Sequence, residues 1–306
     1  MRHSDWFATY SIVARDPQTR QLGVAVQTHQ MSVGRSVPWL LPGVGALATQ
    51  SLTNVHFGPM GLEMLRQGVA APQVIAALVA SDAGANRRQV AVVDVHGGAA
   101  AWTGDGCIPE AGHWAGDGFS VQANMMTRPT VIEAMRHAFE HAEGDLAQRM
   151  LAALQAAQAE DGDIRGMQSA ALMVVPGENE DDTRRLYDLR VDEHAQPVVE
   201  LARLVRLRGA VLLENEAEAA FERGDRPRAL SLWQQARERA PELEEIAYWQ
   251  AVALADAGDV PAAAAILRPV LANDARREHW LDLLRRLEKV RLIERQGAAE
   301  ELIRAL

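Results

Sequence analysis

Near Glu200 the sequence changes character, and that change limits the possible folds more than any other feature. Before it, runs of strand-forming residues come in pairs separated by stretches of helical periodicity. After it, the chain is rich in Ala, Leu, Arg and Glu and shows no strand pattern. The break predicts two domains, residues 9–204 and 205–306, behind a short extension of residues 1–8. A chain of 306 residues with 48% hydrophobic residues can fill two cores.

The first strand pair lies at the start. Thr9 to Arg15 and Leu22 to Thr28 flank Asp16-Pro17-Gln18-Thr19-Arg20, whose proline and short polar residues suit a tight turn. Val44 to Ser51 is a third strand, followed by a helical pattern from Gly58-Pro59 through Leu62, Leu65, Val69, Val74 and Leu78. Gln89 to Val95 and Ala99 to Thr103 form a hairpin around His96-Gly97-Gly98, with Phe119 to Ala123 as a further strand. Helical periodicity returns over 129–141 and 146–159. Gln168 to Val175 and Arg185 to Val191 close the domain around an acidic turn, residues 177–182. Pairs of strands grouped between helices predict an α+β fold of antiparallel sheets covered by helices, not a parallel doubly wound sheet.

In the second domain Gly224-Asp225 recurs as Gly258-Asp259, 34 residues later, and Ala229 recurs as Ala263. The period resembles a tetratricopeptide repeat, with Ala229, Leu230, Trp233, Ala236 and Pro241 at the motif's second-helix and exit positions. The second copy is degenerate, with Leu267, Val270 and Ala275 at its last three. Repeats of this kind bury their apolar faces against a neighbour. Apolar residues such as Leu267 and Val270 are therefore expected to form an exposed patch and a homodimer interface, with the repeats open to a protein partner.

Bulk properties narrow the functions. A formal charge of −10 argues against nucleic acid and anionic membranes as partners, since no segment concentrates basic residues. No apolar run is long enough to span a bilayer, and MRHSDWFA is too short and polar for a secretory signal, so a cytoplasmic location is expected. The single Cys107 cannot form an internal disulfide.

Thr9 stands at the first residue of the first strand. Threonine is an ordinary strand former there. It has a second use: were the chain cut between Ala8 and Thr9, the new α-amine, with a pKa of about 7.7–8.0, would accept the proton of the Thr9 hydroxyl as it attacks an amide carbonyl. One residue would then serve as nucleophile and base.

The blocks TYSIVARDP, LGVAVQTH, GVGALATQSLTN, GPMGLEML, AAWTGDGCIPEAGH, FSVQANMM and RGMQSAAL, with the closing RVDEHAQPVVELARL, together resemble the Ntn-hydrolase-like family called domain of unknown function 1028, over roughly Thr9 to Leu204. The resemblance implies a four-layer αββα sandwich and hydrolysis of an amide in a small molecule or peptide by an N-terminal threonine, without a cofactor. Relatives commonly begin Met-Thr. Here Met1-Arg2 is not a site for methionine removal, so residues 1–8 must be cut away for Thr9 to act. The alternative is a binding or scaffold protein that keeps the fold without the chemistry.

Around Thr9 the expected catalytic helpers are Gln27 and His29, at the end of the second strand, and Gln50 and Asn54, at the end of the third, where an amide donor would stabilise a tetrahedral oxyanion. Ser51, Gln122, Asn124 and Ser169 lie at strand ends as substrate contacts. Equally, amides at strand ends cap exposed backbone. One motif misleads: His137-Ala138-Phe139-Glu140-His141 has the H-x-x-E-H spacing of a zinc site. Met135, Ala138, Phe139 and Ala142 mark the buried stripe, which leaves both histidines on the polar side with no third ligand, so no metal is expected. The glycines of GPMG and GDG lack the lysine of a phosphate loop, and no nucleotide site is assigned.

Overall fold

The computed structural model describes residues 6–7, 9–178, 181–272 and 275–306, and of Trp6 and Phe7 only the backbone. Contacts divide the chain into two compact units, Met1–Val205 and Arg206–Leu306.

The first unit carries eleven strands among the described residues: β1 (Trp6–Phe7), β2 (Thr9–Arg15), β3 (Leu22–Thr28), β4 (Pro38–Leu41), β5 (Gly45–Leu52), β6 (Arg88–Asp94), β7 (Ala99–Thr103), β8 (Gly112–Gly116), β9 (Phe119–Asn124), β10 (Ser169–Val175) and β11 (Tyr187–Val191). Its helices are α1 (Phe57–Arg66), α2 (Ala71–Ala80), α3 (Val131–His141) and α4 (Leu146–Ala159), and α5 (Pro197–Glu222) begins at its end. Two antiparallel sheets result. One runs β1-β5-β6-β7 with β4 also paired to β5, and the other runs β11-β10-β3-β2-β9-β8.

Strand periodicity explains how they stack. Val13, Val24 and Val26 of the six-stranded sheet share one core with Ala46, Ala48, Ala91 and Val93 of the other, so these alternate residues fill the space between the sheets. The intervening residues face outward onto helices. Leu47, Val90 and Val92 pack with Leu62, Val74 and Leu78 of α1 and α2. On the opposite side the Tyr10 hydroxyl donates to Gln158 Oε1 of α4 at 2.9 Å. Gly23 permits that helix to lie close, since a Cβ there would come within 2.4 Å of Met150.

The first turn forms as the sequence suggests: Asp16 Oδ1 accepts from the Gln18 and Thr19 amides at 2.9 and 2.7 Å. The helical pattern from Gly58 to Leu78, in contrast, is two helices. Gly68 adopts φ +81°, and the Val69 amide returns to Met64 O at 3.0 Å, which closes α1 before α2 starts. Strands β4 and β8 have no clear sequence signal, because one begins on Pro38 and the other is bracketed by Gly112 and Gly116. Asn179 and Glu180, in the expected closing turn, lie outside the described residues.

The second unit is helical. Beyond α5 it holds α6 (Arg226–Arg239), α7 (Glu244–Asp256), α8 (Val260–Leu271), α9 (Arg277–Lys289) and α10 (Ala298–Ala305). The 34-residue recurrence is a repeated turn. Gly224 and Gly258 take φ +81° and +89°, and Asp225 and Asp259 then cap α6 and α8 by accepting from the Arg228 and Ala262 amides. Ala229, Trp233 and Ala236 are buried with Ala210, Ala217 and Ala220, whereas Leu230 is exposed. Leu267 and Val270 do not form the exposed patch expected of them. Leu267 is fully buried and Val270 packs against the same cluster, because α9 and α10 cover this face with Leu284, Leu287 and Leu302.

Several buried polar atoms in this unit, the Trp233 indole N–H and Gln250 Oε1 among them, have no partner among the described residues. Glu214 Oε1 is enclosed and accepts no hydrogen bond among the described residues. Burial, reinforced by the neighbouring Glu218 and Glu245 carboxylates, pushes its pKa up to about 7.

Candidate functional site

At the end of the sheets where β2 begins, the layer between them changes from apolar to polar. The register sets this up. Ser11 opposes Gln122 and Thr9 opposes Asn124, on the same face as Val13 and Ser120. From the other sheet, Gln50 continues the face of Ala46 and Ala48, and Gln89 that of Ala91 and Val93. Ser11, Gln50, Gln89 and Gln122 are all fully buried.

These side chains form one continuous network. Gln122 Nε2 donates to Ser11 Oγ at 2.6 Å, and Ser11 Oγ donates to Gln50 Oε1 at 2.6 Å. Gln50 Nε2 donates to Gln89 Oε1 at 2.7 Å and to the Thr9 carbonyl at 3.2 Å. Gln89 Oε1 also accepts from Asn124 Nδ2 at 3.0 Å. On its amide side, Gln89 Nε2 reaches Thr103 Oγ1 at 2.8 Å, the Ala123 carbonyl at 2.9 Å and the Gly112 carbonyl at 3.0 Å. Thr103 Oγ1 lies 2.9 Å from His113 Nδ1. Desolvation pushes the His113 imidazole below the usual histidine value, in keeping with a neutral ring.

Thr9 sits at the edge of this network and is fully buried. Its carbonyl is held by Gln50, but its hydroxyl has no hydrogen-bond partner among the described residues. Immediately before it, Trp6 and Phe7 pair with Leu52 and Ser51 of β5, so the extension leaves Thr9 as a short strand on the other sheet. In the intact chain the hydroxyl is therefore enclosed rather than set at the mouth of a cleft.

The other residues expected around Thr9 divide into two groups. Gln50, Gln122 and Asn124 belong to the network, and Asn124 lies directly across from Thr9. Gln27 does not join it. Strand alternation pairs it with Tyr10 and turns it toward the helix layer, where both its amide atoms are buried without a partner among the described residues. His29 is exposed, and its Nδ1 lies 3.2 Å from the Met167 carbonyl. Asn54 is engaged elsewhere, donating to Asp82 Oδ2 at 3.0 Å and accepting from the His56 amide at 3.2 Å. Ser169 fastens a loop: its hydroxyl donates to the Gln30 carbonyl at 2.5 Å and accepts from the Val33 amide at 3.1 Å. Ser51 follows Gln50 with φ +67°, and its hydroxyl, like that of Thr9, is buried without a partner among the described residues.

Gln89, the hub of the network, has a sequence signal that motif reasoning overlooks. It occupies an inward position of QVAVVD, where period-two alternation calls for an apolar residue. The histidine pair does nothing similar. His137 and His141 are exposed and stacked at 4.1 Å, His141 Nδ1 lies 2.8 Å from the His137 carbonyl, and no group of three potential metal ligands occurs among the described residues.

Fold and site together define a mixed α/β domain in which two antiparallel sheets enclose a buried polar network, joined in the chain to a helical unit. The chain belongs to the family of unknown function DUF1028, whose model matches residues 9–201 and so begins at Thr9. A crystal structure of protein SPO2555 from Silicibacter pomeroyi, assigned to the same family, is similar over 65% of this chain and 88% of that one, with 30% sequence identity and a TM-score of 0.59. No curated protein matches.

Proposed function

We propose that residues 9–204 form an Ntn-type amidohydrolase domain with Thr9 as nucleophile. The observation that carries this reading is the Thr9 hydroxyl, fully buried and without a partner among the described residues at the start of a central strand, beside a network in which Gln50, Gln89 and Gln122 are hydrogen-bonded. A buried hydroxyl left unpaired costs about 1–3 kcal/mol, so a strand former without that group would be the more stable choice. The layering of helix, sheet, sheet and helix supports the same reading, as does a family match that begins at this residue.

In this mechanism, scission before Thr9 frees the α-amine, which takes the hydroxyl proton as the oxygen attacks an amide carbonyl. Gln50 holds the Thr9 carbonyl and so orients the terminal residue. Asn124 donates one N–H to Gln89 and has a second for the oxyanion. The helical unit, read as tetratricopeptide-like, serves assembly or partner binding.

Intact mass tests the first step. The purified protein is expected to begin at Thr9, and the Thr9→Ala variant to stay full length, fold normally and hydrolyse no amide. The pairing of Trp6–Phe7 with β5 favours a second reading, an unprocessed binding or scaffold protein. A wild-type chain that remains full length, with no gain of activity when it is made to start at Met-Thr, selects that one.

A further inference from the structure

We infer that the edge of β5 at Ser51–Leu52 is a docking strip for an extended peptide, and that the substrate is a peptide, or an amide built like one, bound there through its acyl side. The choice of scissile bond rests on the role proposed for Thr9; the docking does not.

The argument starts from the neighbours of β5. On one flank β6 pairs with Gly45 to Ser51. On the other, β4 covers only Gly45 to Ala48, and β1 pairs with Ser51 and Leu52. Beyond β4, then, the strand that completes this flank is the extension itself. Once residues 1–8 leave, the main-chain groups at Ser51–Leu52 that faced β1 become an open sheet edge, although the Leu52 carbonyl keeps Arg88 as a donor, and that edge pairs with an extended chain through backbone hydrogen bonds whatever its side chains.

That edge lies on the acyl side of the nucleophile. Only Ala8 separates Phe7 on one sheet from Thr9 on the other, so the two Cα atoms are within about 7.6 Å, two virtual bonds. In self-cleavage, Thr9 Oγ1 forms a bond to the Ala8 carbonyl carbon, the Ala8–Thr9 C–N bond breaks, and the hydroxyl proton passes to the departing Thr9 amine. Water then hydrolyses the ester, returning the hydroxyl and leaving the Ala8 carboxylate. A second amide attacked by the same oxygen presents its carbonyl from the same side, which places the two preceding residues on the strip that Phe7 and Trp6 occupied. The released octapeptide MRHSDWFA is accordingly the first product and a ligand of the emptied edge.

The test separates docking from chemistry. A chain shortened so that Met directly precedes residue 9, where the family match begins, is prepared with Thr9→Ala so that nothing is cut, and fluorescein-labelled MRHSDWFA is added while anisotropy is recorded. Saturable binding is expected, together with slowed amide exchange at Ser51 and Leu52. Methylating the backbone nitrogens of the peptide's Trp and Phe should weaken binding at least tenfold, and the full-length Thr9→Ala chain, its edge already filled, should not bind. If the shortened chain does not fold, the full chain carrying Trp6→Pro, Phe7→Pro and Thr9→Ala exposes the same edge and is expected to bind. Absence of saturable binding, or equal binding of the methylated peptide, overturns the inference. Hydrolysis at Thr9 without peptide docking leaves the proposed function standing and removes this strip; docking without hydrolysis does the reverse.

Discussion

The two ends of the space between the sheets are built on the same strands and differ in chemistry. One end packs Val13, Val24, Val26, Ala46 and Val93; at the other, the same strand faces present Ser11, Gln122, Gln50 and Gln89. Apolar packing stabilises through burial and tolerates local imperfection. A buried amide contributes only when its partners are in place, and the loss of one leaves several others unpaired. The polar end is thus the more fragile of the two.

Substitution at the hub should break the comparison most visibly. Gln89→Leu leaves the Gln50 and Asn124 amides and the Gly112 and Ala123 carbonyls without their Gln89 partner, and is expected to cost about 3–4 kcal/mol in urea unfolding. Val93→Ala, four residues on along the same face, should cost about 2 kcal/mol from lost burial and the cavity left behind. Equal losses would mean that the network contributes nothing beyond its volume.

Glu214 sharpens the contrast from the helical unit, as a buried carboxyl whose Oε1 meets no donor among the described residues. Its folded pKa of about 7, raised first by burial and then by Glu218 and Glu245, exceeds the unfolded glutamate value of about 4.3. The folded state therefore holds the proton more tightly, and stability is lost as pH rises from about 4 through 7. Glu214→Gln should leave stability unchanged at pH 4 and raise it by roughly 1–2 kcal/mol at pH 8, about half the full linkage value because exposed Glu218 keeps solvent beside the carboxyl. A pH-independent effect would refute the assignment.

Gln27 gives a smaller effect of the opposite kind to Gln89. With neither amide atom bonded to a described residue, Gln27→Leu should be neutral or stabilising by up to about 1 kcal/mol, read from the urea midpoint. At the low end, replacing both His137 and His141 with alanine should move stability by no more than about 0.5 kcal/mol and leave any hydrolysis unchanged. Loss of activity with the fold intact would put the helix α3 pair at the site.

The strand pairs were legible because period-two alternation and turn chemistry are local: TYSIVAR, DPQTR and LGVAVQT mark a hairpin without reference to the rest of the chain. Strands β4 and β8 escaped because each gains its pairing at a sheet edge and not from its own residues. Among the candidate residues, Gln50, Gln122 and Asn124 could be reached from strand ends, while Gln27 was misplaced by one step of alternation. Proximity in sequence says which residues end a strand; only the face decides whom they meet.

The sequence by itself determined the change of architecture near Glu200, the repeated Gly-Asp turn and the polar residues set into otherwise apolar strands, since all three depend on backbone conformation and local period. Tertiary structure alone decided that Gln89 joins Gln50 to Asn124, that Leu267 lies beneath α9 and α10, and that the strand before Thr9 crosses to the other sheet. Those outcomes need surfaces far apart in the chain to meet, and it is the meeting that sets whether a buried amide is satisfied or stranded.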